Sequence, residues 1–102
     1  MILIISAFNN KSEAAKIGKA LLSEKLIACY NLFPIESGYL WKGKIVDDKE
    51  ILMILKTKDK NFSKIESFII KHHSYEVPEI VAVKATFVSK PYLNWLNSEI
   101  TN

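Results

Sequence analysis

The stretch HHSYEVPEI, residues 72–80, contains the largest concentration of chemically versatile side chains in the sequence. Imidazole is a favoured ligand of copper, nickel and zinc, so His72 and His73 are candidate metal ligands. Adjacent histidines diverge on a regular helix, and two ligands are fewer than the four of a tight site. The alternative is that His72 ends a helix, where a positively charged ring complements the helix dipole. Residue spacing alone leaves both interpretations open.

Three more residues of this stretch, Tyr75, Glu76 and Glu79, form either a polar turn or part of a site. Elsewhere Cys29 is the only cysteine, which excludes an intrachain disulfide. Its apolar surroundings favour a small buried side chain over a nucleophile, which needs a nearby histidine or lysine. The chain has no nucleotide-binding, Walker A, zinc-protease or serine-hydrolase signature. We therefore predict that it is not an enzyme.

Composition points to one globular domain spanning residues 1–102, with 49% hydrophobic and 25% charged residues. All 14 basic residues are lysines, and they are dispersed from Lys11 to Lys90. Nucleic-acid-binding proteins group basic residues on one face and use arginine for bidentate contacts. We therefore predict no nucleic-acid partner. The apolar run at residues 1–5 is too short for a secretory signal or a membrane span, so we expect a cytoplasmic protein without membrane association.

The first third of the chain predicts a strand followed by a helix. Residues 1–8 are apolar on both faces, as in a central strand. Asn10 and Glu13 fit a capping box, which begins a helix at Lys11 that runs to about Lys25. The helix has one apolar stripe, formed by Ala14, Ile17, Gly18, Leu21 and Leu22.

The middle of the chain predicts a β-hairpin and a second helix. Residues 26–41 and 44–57 read as strands, and the Lys42-Gly43 pair between them is a turn signal. Asp59 is a candidate cap for the second helix, whose stripe comprises Phe62, Ile65, Phe68, Ile69 and His72. This spacing predicts that His72 lies on the buried face and that His73 lies about 100° around the helix from it.

A last strand over residues 79–88 and a short helix opening at Lys90-Pro91 complete a βαββαβα order. This order predicts an α+β, ferredoxin-like fold, with helices on one face of an antiparallel sheet. The uncovered sheet face and a hairpin carrying Tyr39, Trp41, Ile45 and Val46 would expose large apolar groups in a monomer. A symmetric homo-oligomer is therefore expected.

Several motifs together resemble the CutA family of divalent-cation tolerance proteins. They are EKLIACYNL (24–32), SGYLWKGKI (37–45), ILKT (54–57), HHSYEVPEI (72–80) and YLNWL (92–96). The resemblance covers nearly the whole chain. It implies a ferredoxin-like subunit that assembles into a homotrimer, with an architecture similar to that of PII signalling proteins. It also implies tolerance of copper and other divalent cations.

The resemblance also implies two groups of site residues. The family's paired histidines match His72 and His73, the implied ligands of a weakly bound copper(II) or other divalent ion. The family's first-strand thiol corresponds to Ser6, which removes a soft ligand, and Ser74 replaces the proline that usually follows the second histidine. A second group would line clefts between subunits of the trimer and could bind a small anion or metabolite: Cys29, Trp41, Lys56, Tyr75 and Glu76.

Two functions follow as hypotheses. The first is a trimeric, non-enzymatic, metal-responsive protein that binds copper weakly. The second is a PII-like signalling or scaffold trimer that recognises a small ligand or a protein partner at its clefts. A trimeric core with few glycines also favours a thermostable fold.

Overall fold

The computed structural model describes residues 1–100 of the chain. The chain forms four strands and three α-helices, with one 3₁₀ turn at Asp59–Asn61. In chain order they are β1 (Ile2–Phe8), α1 (Lys11–Ser23), β2 (Cys29–Trp41), β3 (Lys44–Thr57), α2 (Phe62–His72), β4 (Val81–Lys84) and α3 (Lys90–Glu99). The strands form one antiparallel sheet in the order β2-β3-β1-β4. The predicted α+β fold and element order are confirmed.

The core lies between α1, α2 and one face of the sheet. Alternate residues of β1, Ile2, Ile4 and Phe8, are buried on this face, because successive strand residues point to opposite sides. Across the sheet Met53 and Leu55 extend the same layer, and the helices complete it with Ala14, Ile17, Leu21, Ile65 and Ile69. The position of β1 between β3 and β4 explains why its sequence is apolar throughout.

The opposite face of the sheet is open over much of its area. Register pairs place Leu3, Lys56, Cys29 and Val83 side by side on it. Large apolar side chains are exposed on this open face, including Phe33, Val81 and Val83. Part of the face is approached by α3, where the Lys56 ammonium lies 5.7 Å from the centre of the Tyr92 ring. The predicted exposure of apolar groups on the uncovered face is confirmed.

The hairpin of β2 and β3 pairs without interruption from Cys29 opposite Lys56 to Trp41 opposite Lys44. Its turn has φ of +51° at Lys42 and +79° at Gly43, the two positive values that a type I′ turn requires. The predicted hairpin is therefore confirmed. Its distal end is apolar on both sides and exposed: Tyr39 39%, Leu40 73%, Trp41 39% and Ile45 81%.

Helix α1 has a defined cap at each end. The Asn10 side chain accepts a hydrogen bond of 2.8 Å from the Glu13 backbone N–H, as predicted. At the other end, the N–H groups of Lys25 and Leu26 donate to the carbonyls of Leu22 and Leu21. This is a Schellman motif, which places its C′ residue, Lys25, in the left-handed region with φ of +57°.

Replacing Lys25 with glycine is expected to raise the free energy of unfolding by about 0.5–1 kcal/mol, because the left-handed conformation strains a residue with a Cβ atom. Urea denaturation of both proteins at equal concentration measures the change. Lys19→Gly, in the interior of the same helix, is the control and is expected to destabilise by about 1 kcal/mol. A loss of stability in Lys25→Gly would contradict the assignment of this motif.

Three predicted details of the fold are wrong. Asp59 caps no helix. Its carboxylate lies 2.9 Å from the Lys84 ammonium and 3.6 Å from the N-terminal ammonium, and these charges lower its pKa.

The last strand covers only Val81–Lys84. Its partner β1 begins at Ile2, which pairs with Lys84, and at the other end the Ala7 carbonyl is bonded by His73 instead of by the strand. The second strand begins at residue 29 rather than 26, because side chains of Thr57 and Asn61 bind the carbonyl of residue 26.

The C-terminal helix forms where it was predicted, with proline in its first turn. Leu96 and Ile100 are buried, and the Lys58 ammonium donates a hydrogen bond of 3.1 Å to the Ile100 carbonyl. No helix within residues 1–100 has the length and apolar character needed to cross a membrane.

Candidate functional site

Helix α2 ends at His72, inside the stretch that the sequence singled out. His73 is the C-cap residue and has extended backbone angles, φ −78° and ψ 142°. Its backbone N–H still donates to the Ile69 carbonyl, at 2.8 Å. Because His73 keeps a helix-compatible φ, its side chain projects about 100° around the helix from that of His72, and the two rings point in different directions.

The His73 side chain is fully buried and fully hydrogen-bonded. Nδ1 accepts a bond of 3.0 Å from the Tyr75 backbone N–H, and Nε2 lies 2.8 Å from the Ala7 carbonyl, which can only accept. The ring is therefore neutral, with its proton on Nε2. It also stacks on Phe8, with ring centroids 4.4 Å apart. Glu13 lies 3.7 Å from Nδ1, but this is no hydrogen bond, because Nδ1 and the carboxylate oxygen are both acceptors and neither carries a proton.

The His72 side chain is exposed instead. Its Nδ1–H donates to the Phe68 carbonyl at 2.9 Å, and its ring stacks on Phe68 with centroids 4.2 Å apart. The second nitrogen, Nε2, forms no hydrogen bond within residues 1–100 and keeps its lone pair. The prediction that His72 lies on the buried face is wrong. The helix stripe passes the edge of the core at residue 72, and the step of about 100° to residue 73 places the His73 ring on the core side.

A carboxylate from another helix holds the turn after His73. The Ser74 backbone N–H and hydroxyl donate to the two Glu13 carboxylate oxygens, at 2.7 and 2.9 Å. Glu13 itself is held in place at the start of α1, because its backbone N–H donates to the Asn10 side chain. Ser74 supplies both of these bonds, and a proline at this position would supply neither.

Beyond this turn, Tyr75 enters a groove between the turn and the hairpin. The groove has a volume of about 640 Å³ and is lined by Ala7, Ser37, Gly38, Tyr39, Leu40, Trp41, Val46, Glu50, Tyr75, Glu76, Val77 and Glu79. The Tyr75 hydroxyl donates a hydrogen bond of 2.7 Å to Glu50 Oε2. Tyr39 also lines the groove, and its hydroxyl donates to Asp48 Oδ2 at 3.2 Å. Two phenols thus face the groove as hydrogen-bond donors to carboxylates.

The surroundings of Tyr75 raise its pKa above the usual value of about 10, first through burial and then through the bond to Glu50 and the negative charges nearby. The same causes raise the pKa of Tyr39, with burial first and then Asp48. A raised folded-state pKa stabilises the fold below the ordinary phenol pKa, and this contribution is lost as the pH rises through the folded-state value. Both tyrosines therefore remain protonated donors at neutral pH.

In an alkaline spectrophotometric titration, Tyr75 is expected to ionise after the other phenols, in a late step of the absorbance at 295 nm. Tyr75→Phe is expected to remove this late step, and Glu50→Gln to move it to lower pH, because the neutral amide no longer disfavours phenolate. Tyr92→Phe, outside the groove, is the control and should leave the late step in place. A late step that persists in Tyr75→Phe would contradict the assignment.

The five predicted cleft residues fall into two separate places within one subunit. Trp41, Tyr75 and Glu76 line the groove. Cys29 and Lys56 are register partners at the opposite end of the hairpin. The two ends are twelve positions apart along β3, which corresponds to about 40 Å of extended chain, nearly the whole 44 Å length of the folded chain. One copy of the chain therefore does not bring these five side chains together.

Ser6 lies on the helix-covered face of β1, opposite Met53, and is fully buried. Its hydroxyl is the one buried side-chain polar atom without a hydrogen-bond partner in the part of the chain that the structure describes. A thiol at this position would be a small apolar side chain that needs no such partner. The buried, unpaired hydroxyl of Ser6 therefore lowers the free energy of unfolding.

Ser6→Ala is expected to raise the free energy of unfolding by about 1 kcal/mol, because it removes a buried hydroxyl without a partner. Thermal and urea unfolding measure the gain. Thr57→Val is the matched control, since Thr57 is equally buried but its hydroxyl donates to the Leu26 carbonyl at 2.6 Å. That variant is expected to lose stability. A loss in Ser6→Ala would show that the hydroxyl has a partner.

Glu13, Tyr39 and Glu50 belong to the site, but the sequence did not identify them. Each contacts its partner across a long stretch of chain or across the hairpin, so no local spacing predicts the pair. One signal was available for Glu50. It lies directly before the apolar run of β3, where a buried carboxylate requires a hydrogen-bonding partner.

Within residues 1–100, no group of three or more histidine, cysteine, aspartate or glutamate side chains is arranged to hold a metal ion. His73 does not fit a metal in this conformation, because both of its nitrogens are bonded. His72 does fit as a single ligand. Ligating histidines usually donate their other ring N–H to a carbonyl or carboxylate, as His72 does to Phe68.

Comparison with known proteins gives a consistent result. Residues 2–99 match the family model described as CutA1 divalent ion tolerance protein. The divalent-cation tolerance protein CutA of Thermotoga maritima is 44% identical over 100 residues, covering 98% of this chain and 99% of the relative. Its counterpart in Pyrococcus horikoshii is 39% identical over 99 residues, with 97% of each chain covered.

Solved structures agree with the sequence relatives. The crystal structure of CutA1 from Pyrococcus horikoshii has a TM-score of 0.95 at 37% identity, and covers 100% of both chains. A structure from Archaeoglobus fulgidus, named as a periplasmic divalent cation tolerance protein CutA, has a TM-score of 0.95 at 36% identity, covering 98% of this chain and 99% of that one. This chain therefore belongs to the CutA family.

Proposed function

We propose that this protein acts in tolerance of divalent cations, including copper(II), and that it binds the ion weakly through His72 without catalysing a reaction. The observation that carries this proposal is the fixed orientation of the exposed His72 ring. Its Nδ1–H is held by the Phe68 carbonyl, and its Nε2 lone pair is free. The relatives are named divalent-cation tolerance proteins.

The predicted histidine pair then divides into a ligand and a structural residue. Recruiting His73 as a second ligand would break its bond to Tyr75 or to Ala7 and remove its ring from Phe8. A site with one imidazole and solvent ligands has few ligands, which agrees with a weak affinity. Copper(II) is the first-row divalent ion that a nitrogen ligand binds best.

We further propose that the protein is a homotrimer in the cytoplasm. The open sheet face and the apolar hairpin end would be covered in such an assembly. A cleft that contains both Trp41 and Lys56 requires more than one subunit, because the length of the hairpin separates them. Size-exclusion chromatography with light scattering tests the trimer directly.

Calorimetric titration with copper(II) tests the metal proposal. We expect weak, saturable binding of copper(II) to the wild-type protein. In His72→Ala we expect the heat of this saturable binding to be lost completely. Lys71→Ala, the neighbouring exposed residue on α2, is the matched control and should bind like the wild type. Equal heats from His72→Ala and the wild type would refute the role of His72.

A second candidate function is a signalling or scaffold trimer that binds a small ligand in its clefts. The 640 Å³ groove beside Tyr75 supports it, since this volume lies in the range of small-molecule sites. A thermal-shift screen of metabolites tests this function, and we expect a stabilising hit that Trp41→Ala abolishes. If no compound shifts the melting temperature, the second function is refuted while the metal proposal stands.

A further inference from the structure

Residue 68 contacts the exposed His72 ring in two ways. Its backbone carbonyl accepts the Nδ1–H hydrogen bond of 2.9 Å, and the Phe68 side chain stacks on the imidazole, with ring centroids 4.2 Å apart and 28° between the ring planes. Residues i and i+4 lie on one face of a helix, and helical side chains lean towards the N-terminus. The contact is therefore local to α2 and does not depend on a second subunit.

Phe68 is a firm support for this ring, because it is itself attached to the core. Its side chain is only partly buried, but it packs against the cluster to which Ile65 and Ile69 belong. The helix stays hydrogen-bonded to its end, where the His73 N–H donates to the Ile69 carbonyl. A side chain that is free to change conformation loses entropy when it binds a ligand, and a side chain already held in place loses less. The stack on Phe68 therefore lowers the entropic cost of binding at His72.

The stack also distinguishes the metal-bound ring from the free one. The imidazole gains positive charge when its Nε2 lone pair binds a divalent ion. Aromatic faces attract cations, so the face of Phe68 stabilises the charged imidazole more than the neutral one. An equilibrium shifts only when an interaction differs between its two states. The Phe68 face therefore raises the affinity for an ion, beyond holding the ring in place.

We propose that Phe68 is a positioning residue of the metal site, which holds the His72 ring with its Nε2 lone pair available and thereby increases the affinity for divalent ions. The sequence assigned Phe68 only to the apolar stripe of α2. This inference rests on the proposed function, because it concerns the same histidine, and it names a second residue that determines the affinity of the site.

Phe62 provides a matched comparison within the same helix. It belongs to the same apolar stripe and, like Phe68, is partly buried and packed against the core cluster. Among the described residues, the ring that stacks on His72 is that of Phe68. A substitution of Phe62 therefore reproduces the loss of core packing without the loss of the stack.

Calorimetric titration of the intact chain with copper(II) measures the effect on affinity. Phe68→Leu keeps an apolar side chain but removes the aromatic face, and should weaken binding about threefold to tenfold. Phe68→Tyr keeps the face and should bind within about twofold of the wild type. Phe62→Leu is expected to bind copper(II) like the wild type.

Nitrogen NMR of the metal-free protein gives a second readout, which a general loss of stability would not change. In the wild type and in Phe62→Leu, we expect His72 to carry its proton on Nδ1, as the bond to the residue 68 carbonyl requires. In Phe68→Leu the ring is no longer held against that carbonyl. The two nitrogen shifts of His72 should therefore move towards each other as the two tautomers mix.

The outcomes separate this inference from the proposed function. An unchanged copper(II) affinity in Phe68→Leu, an equal loss in Phe62→Leu, or a loss in Phe68→Tyr as large as that in Phe68→Leu would overturn the role of Phe68 and leave His72 as a ligand. Nitrogen shifts of His72 that are the same in Phe68→Leu and in the wild type would overturn it as well. Equal binding by the wild type and His72→Ala would overturn the proposed function, and this inference with it.

Discussion

Replacing His73 with alanine is expected to lower the free energy of unfolding by about 3 kcal/mol, a large fraction of the stability of a small domain. The substitution leaves the Tyr75 N–H and the Ala7 carbonyl without their partner. It also removes a buried ring from its stack on Phe8. Each buried polar group left unpaired costs about 1–3 kcal/mol, and the cavity adds to this.

His72→Ala is the matched control for this prediction. It is the same chemical change one residue away, but the ring is exposed and makes one hydrogen bond within its own helix. We expect its effect on stability to stay within about 0.5 kcal/mol. Urea unfolding at one fixed protein concentration compares the two variants. Equal losses would contradict the division into a structural and an exposed histidine.

The second large effect is expected for Phe8→Ala, at about 4 kcal/mol of lost stability. Phe8 is fully buried at the end of β1, where it belongs to the core cluster and stacks on the His73 ring. Truncation of a buried phenylalanine typically costs about 3–5 kcal/mol, because the surroundings collapse only partly into the cavity. The loss of the stacked partner should also weaken the position of His73.

Phe87→Ala provides the control with the same change in side chain. Phe87 is 94% exposed, so its removal creates no cavity in the subunit. We expect a change within about 0.5 kcal/mol for this variant. Thermal unfolding followed by far-ultraviolet circular dichroism measures both. A stability loss in Phe87→Ala as large as that in Phe8→Ala would show that burial within the subunit does not determine the effect.

The sequence predicted those features that depend on neighbours in the chain. The apolar character of β1, the Asn10 cap of α1 and the Lys42-Gly43 turn all use interactions within a few residues. The α+β fold with one antiparallel sheet followed from the succession of elements, since few topologies accommodate it. The uncovered apolar face followed from the same order.

Contacts between distant residues were not predictable in this way. His73 binds Ala7, 66 positions away, and Ser74 binds Glu13, 61 positions away. Helical periodicity placed His72 on the core side, because it assumed that the stripe continues to the helix end. His73 keeps a helix-compatible φ, and its ψ of 142° redirects only the chain after it, so the two rings differ in environment because their side chains lie about 100° apart around the helix.

The contacts of residues 72–80 show that most of this stretch holds the fold together. Its turn is attached to β1 by His73, to α1 by Ser74 and to β3 by Tyr75. Such anchoring fixes the end of α2 and therefore the direction of the exposed His72 ring. The same turn also forms one wall of the acidic groove. Most of the stretch is thus structural, and His72 alone keeps an exposed ring nitrogen for the metal binding that we propose.

The most direct test of this account is nitrogen NMR of the histidine rings during titration with zinc(II), a diamagnetic divalent ion. We predict that His72 Nε2 shifts saturably, while His73 keeps its proton on Nε2 and its shifts unchanged. A coordination shift at either His73 nitrogen, or no shift at His72 at saturating zinc, would contradict the central claim that His72 alone binds the ion.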